Sequence, residues 1–123
     1  MRFFMTIMPP KDVDSGKRPI PQSLMDAMGP YIDSVVKTGA LISTAGLKGS
    51  PTGVRLTGND GRVTVTDGPF AEAKEVVGGY AVFELPSRTE AIQAATDFVN
   101  LHIENGMPDI VVEIREMAGG YNY

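Results

Sequence analysis

Cysteine and tryptophan are both absent from this chain, and histidine occurs once. Without cysteine there is no disulfide, no thiol nucleophile and no thiolate set for zinc or an iron–sulfur cluster. A lone histidine does not make a typical zinc site, and Asn59-Asp60-Gly61 is too short for a calcium loop, so no metal and no cofactor is expected. Long apolar runs are missing too: the first, Phe3 to Met8, stops at Pro9-Pro10, far short of a membrane span or a signal-peptide core. Positive charge is sparse. The formal net charge is −4 and basic runs are no longer than Lys17-Arg18, so a phosphate backbone would meet net repulsion. The expectation is a cytoplasmic protein that binds neither nucleic acid nor membrane. Gly46-Leu47-Lys48-Gly49 and Gly78-Gly79 have neither the spacing nor the following helix of a nucleotide-binding loop.

What remains is the composition of a soluble globular protein, 42% hydrophobic and 21% charged, with a length of 123 residues that suits one domain over 1–123. Arg2 to Met8 reads as a strand that is apolar on both faces. Pro9 to Pro21 has no apolar period and reads as a mobile loop. A helix then starts near Ser23, capped by Ser23 with Asp26 in its first turn, and turns Leu24, Met28, Ile32, Val35 and Val36 inward. Gly29-Pro30 should kink it or divide it in two, and Thr38-Gly39 should end it. Ala40 to Ala45 is β-compatible. Val54 to Thr57 and Arg62 to Thr66 flank Gly58-Asn59-Asp60-Gly61 as a hairpin. Gly79 to Leu85 is a further strand. Ser87 and Glu90 form a capping box that opens a second helix, closed by Asn105-Gly106, and Ile110 to Met117 is the last strand.

Strand, helix, strand, hairpin, strand, helix, strand is the order of a ferredoxin-like α+β fold, two split βαβ units with an inserted hairpin and an antiparallel sheet. Both helices should cover one sheet face. The other face then needs a cover of its own, and a homodimer packed sheet to sheet, burying on the order of 1,600 Å² or more, is the simplest one.

The densest motif is Asp67-Gly68-Pro69-Phe70-Ala71-Glu72-Ala73-Lys74-Glu75. It resembles the Asp-Gly-Pro-Phe-Ala-Glu-x-Lys-Glu motif of the YCII-related, or DGPF-domain, family. Gly78-Gly79-Tyr80, the Arg2-Phe3-Phe4-Met5 strand, the Lys11-Asp12-x-Asp14-Ser15-Gly16 loop and the closing Glu113-Ile114-Arg115 are similar to the family as well. The resemblance implies a dimeric α+β barrel of ferredoxin-like subunits. Classical members pair a histidine at the start of the first helix with a later aspartate; here Gln22, Ser23 and Leu24 fill that region, so the pair would have to be rebuilt from His102 and Asp67.

His102 is the one side chain whose ordinary pKa lies near neutrality, and Ala91, Ala95, Phe98 and His102 follow i, i+4, i+7, i+11 on one inward stripe. Its carboxylate candidates are Asp67, Asp109 and Glu113. Asp67 reads either as the cap of a turn at Gly68-Pro69 or as an acid, base or ligand acceptor. Phe70 reads as a core plug or a ligand contact, Lys74 as part of a solvated face or an anion contact, and Arg115, like Arg55, as a cross-strand charge partner or a carboxylate anchor. Two functions follow: a homodimer holding a small molecule, with cofactor-free acid/base chemistry by His102 and Asp67 and ligand contacts from Phe70, Lys74 and Arg115; or a non-enzymatic regulatory module, since the resemblance extends to family members joined to extracytoplasmic-function sigma factors.

Overall fold

A computed structural model describes residues 1–70 and 76–119. Four strands form one antiparallel sheet: β1 (Arg2–Met8), β2 (Leu41–Gly46), β5 (Gly79–Glu84) and β6 (Val111–Glu116), in the order β2-β5-β1-β6. Two long helices, α2 (Gln22–Lys37) and α3 (Arg88–Glu104), complete the split βαβ units. This is the expected ferredoxin-like α+β arrangement. A hairpin of β3 (Val54–Asn59) and β4 (Arg62–Asp67) forms a separate two-stranded sheet. Asp60 (φ 51°) and Gly61 (φ 74°) make its two-residue turn, the positive-φ pair that matches the twist of the strands.

Period-two alternation sends Phe3, Met5 and Ile7 of β1 to the same face as Ala81 and Phe83 of β5 and Ile114 of β6. Met5, Ala81 and Phe83 pack there with Leu24 of α2 and with Ala95 and Phe98 of α3, so both helices share one face of the sheet. On the outer face Phe4 lies opposite Val82 and Arg115, Thr6 opposite Tyr80 and Glu113, and Met8 opposite Val111. That face is therefore mixed, with an apolar centre where the Phe4 and Tyr80 rings stack at 5.7 Å. The hairpin is amphipathic in the same way: Val54, Leu56, Val63 and Val65 share one exposed face, Arg55, Thr57, Thr64 and Thr66 the other.

Four local expectations change. Pro9 to Pro21 carries a short helix, α1 (Lys11–Asp14), and is anchored at both ends of its polar run, as described below. Helix α2 starts one residue before the expected Ser23, at Gln22, with no side-chain cap; Ser23 instead donates its hydroxyl to the carbonyl of Asn105 at 3.2 Å, tying the start of α2 to the end of α3. Pro30 sits inside one continuous helix, because an exposed mid-helix proline removes only one bond from a helix held by tertiary packing. Val36 is exposed, and Tyr31, tilted against Phe98 at 6.2 Å, packs on the core in its place. The box at Ser87 and Glu90 forms as expected: the Glu90 amide donates to Ser87 Oγ at 3.3 Å and Ser87 Oγ donates to the Glu90 carboxylate at 2.7 Å.

Candidate functional site

The helix α2 start, the strap from Pro9 to Pro21, the end of β2 with its following loop, and the C-terminal half of α3 enclose a cavity of about 500 Å³. Its buried floor is Leu24, Phe98, His102, Met107 and Ile110; its exposed rim includes Ile20, Met25, Leu47 and Lys48. A volume of this size is typical of small-molecule sites, and so is a mostly apolar lining with few polar groups.

His102 is 5% exposed and closes the inward stripe Ala91, Ala95, Phe98, as the helical spacing indicates. Its Nδ1 lies 2.8 Å from the carbonyl oxygen of Phe98, one turn back on α3, and its ring centroid lies 4.4 Å from that of Phe98. A carbonyl only accepts, so Nδ1 carries the proton and Nε2 of the neutral ring has a bare lone pair. Among the described residues Nε2 has no hydrogen-bond partner, yet no sealed side-chain nitrogen or oxygen is left unpaired. Nε2 is therefore unpaired within the described residues without being sealed, and His102 is a lining residue of the cavity.

Burial holds the imidazole pKa below its ordinary value of 6.5, against the smaller, opposing effect of the Phe98 carbonyl. The neutral ring is the form at pH 7. Between its depressed folded value and 6.5 the unfolded chain binds more protons than the folded one, so stability is present above 6.5 and is lost as pH falls below it. A comparison of urea midpoints for the wild type and His102→Gln from pH 7.5 down to about 5 is expected to show a steeper decline in the wild type. Parallel declines would contradict a ring kept neutral by burial.

The carboxylate that lines the cavity with His102 is Asp14, on α1, and none of the three candidates named from the sequence. Its two oxygens accept from the amide of Ser50 at 2.8 Å and from the Ser50 hydroxyl, which is 7% exposed at the head of a 3₁₀ turn, Ser50–Thr52. The other end of the strap is held by Arg18, whose guanidinium bonds Asp12 at 3.0 Å and Asp109 at 2.7 Å. The Arg18 guanidinium holds the Asp109 carboxyl below the usual carboxylate range.

The other candidates that fall among the described residues lie elsewhere. Asp67 is exposed at the end of β4, opposite Val54, and among the described residues its carboxylate takes no hydrogen bond; it does not line the cavity and does not meet His102. Among the described residues Asp67 caps no turn at Gly68-Pro69; Gly68 instead donates its amide to the Gly53 carbonyl at 2.8 Å. Phe70 stacks under Arg55, whose guanidinium carbon stands 4.3 Å from the ring centroid, so both face the hairpin base. Arg115 is on the outer sheet face beside Phe4, and Glu113 is two residues before it on the same face. Lys74 lies outside the described residues, with Glu72 and Glu75. Of the candidates that fall among the described residues, then, His102 alone lines the cavity. Asp14 was missed as a site residue, although it belongs to the Lys11-to-Gly16 stretch that carried the family resemblance.

The profile of the YCII-related domain matches residues 1–103. The chain belongs to the YCII-related family. This match extends from β1 through His102, so it takes in Asp14, Ser50 and most of the cavity lining. Comparison with curated proteins finds no significant match. Among the described residues of this family member no group of three or more histidine and carboxylate side chains is arranged to hold a metal ion, and no helix is long and apolar enough to cross a membrane.

Proposed function

We propose that the protein binds a small, largely apolar organic molecule in the cavity above His102, with neutral Nε2 as a proton or hydrogen-bond acceptor. The observation that carries this is a single one: a buried imidazole, fixed through Nδ1, lines a mostly apolar cavity of about 500 Å³. A base needs reach and the right protonation state together, and His102 combines both. Asp14 is placed to hold the wall of the site, since both of its oxygens already serve Ser50. The acid/base pair of His102 and Asp67 gives way to His102 acting with a group brought by the ligand.

The test uses a hydrophobic anionic dye, anilinonaphthalene sulfonate, followed by the resonances of the sole imidazole. Binding is expected to move those resonances in the wild type and to be lost in Met28→Trp, where an indole fills the cavity. Dye binding that leaves His102 unmoved and survives Met28→Trp would overturn the assignment.

The functional form proposed is a homodimer joined through the outer sheet face. Phe4 and Val111 are exposed there at 37% and 49%, and Glu113 and Arg115 beside them have no ion-pair partner among the described residues. Two-fold packing would cover the apolar centre and let opposite charges meet. Light scattering at micromolar concentration is expected to give twice the chain mass for the wild type and a lower mass for Phe4→Glu; a wild-type mass of one chain would remove the dimer.

A further inference from the structure

We infer that the ligand of this cavity is neutral at its buried end and presents an O–H or N–H donor there, on an otherwise apolar and preferably flat body. The inference rests on the cavity being the binding site. Four of the five buried lining residues, Leu24, Phe98, Met107 and Ile110, are apolar, so among the described residues His102 supplies the only polar side chain of the floor.

The tautomer decides what that atom accepts. With Nδ1 committed to the Phe98 carbonyl, Nε2 of the neutral ring offers a lone pair and no hydrogen. A carboxylate or phosphate at the floor would bring its own lone pairs against that lone pair, and the other described floor side chains, Leu24, Phe98, Met107 and Ile110, offer no donor. To be accepted, such an anion would have to protonate the ring, and burial opposes that charge. A ligand with neither donor nor charge would leave Nε2 unpaired and dry, which costs affinity. The remaining class is a neutral donor.

The walls favour a flat body. Phe98 and His102 present rings tilted by 44° to each other, and Met25, Met28 and Met107 add flexible thioethers that pack well against aromatic edges. Asp14 keeps its charge on Ser50, and the one lining cation among the described residues, Lys48, stands at the exposed rim. A negative group on the ligand therefore belongs at the end remote from the donor.

Three probes of similar shape separate the possibilities: indole, which has a ring N–H; N-methylindole, which has lost it; and naphthoate, a flat anion. Titration calorimetry on the intact protein is expected to show indole binding about tenfold tighter than N-methylindole, the usual worth of one hydrogen bond to a buried acceptor. Naphthoate is expected to bind more weakly than indole. In His102→Phe the preference of indole over N-methylindole should vanish while N-methylindole binds at least as well as before. The wild-type comparison stands alone if that variant folds poorly, because indole and not N-methylindole should also shift the imidazole Nε2 resonance. Equal affinities for indole and N-methylindole, or tightest binding by naphthoate, would overturn the donor class and leave the cavity as a binding site. Failure of all three to bind or to move the imidazole resonances would overturn both.

Discussion

Gly68→Ala is expected to destabilise the protein by about 3 kcal/mol, the upper end of the cost of overpacking. A Cβ at this position would stand 1.8 Å from the Ser50 carbonyl oxygen and 2.8 Å from its carbon, and both are backbone atoms that no side-chain rotation can move aside. Gly58→Ala is the control: a Cβ there meets nothing within 4 Å, so its effect should stay within about 1 kcal/mol. Urea unfolding of the two variants checks the contrast. A Gly68→Ala protein as stable as Gly58→Ala would mean that β4 does not close against the Ser50 turn as described. The result bears on the site, because Ser50 is also what Asp14 holds.

Asp14→Ala is expected to cost about 2–3 kcal/mol, since it leaves the buried amide and hydroxyl of Ser50 without their acceptor. Ser50→Ala should cost less, and adding it to Asp14→Ala should recover part of the loss, because one of the two stranded donors is gone. The coupling expected from a double-mutant cycle is about 1 kcal/mol or more. Additive effects would show that the two side chains do not act as a unit. Asp14→Ala should also weaken binding of any cavity ligand, as α1 with Val13 forms one wall; Asp67→Ala should not, since that carboxylate is exposed at the hairpin.

The elements that were legible in the sequence are those whose signals are local. The capping box at Ser87 and the stripe from Ala91 to His102 lie within one helix, so spacing alone put His102 inside. The succession of strands along the chain followed from short β-rich runs bounded by turn residues in the same way, and the Asp60-Gly61 turn is a local positive-φ signal. The partners of the site were not legible, because they come from distant segments. Asp14 and Ser50 are 36 residues apart, and Arg18 and Asp109 are 91 apart, so no window of sequence links them. The polar run Pro9 to Pro21 has no apolar period because its order comes from these two anchors and from Val13 and Ile20 facing the cavity. Asp67 stood out for its neighbours Gly68 and Pro69, yet the structural demand in that motif falls on Gly68. Ser23 had the composition of a cap, but its hydroxyl is used across the fold by Asn105.

The most direct measurement exploits the chain's single histidine, which gives one imidazole in a long-range proton–nitrogen correlation spectrum. The expected result is a neutral ring protonated at Nδ1 at pH 7, titrating below 6.5, with Nε2 responding when a ligand enters the cavity. A ring protonated at Nε2, or one that titrates at or above 6.5, would contradict it.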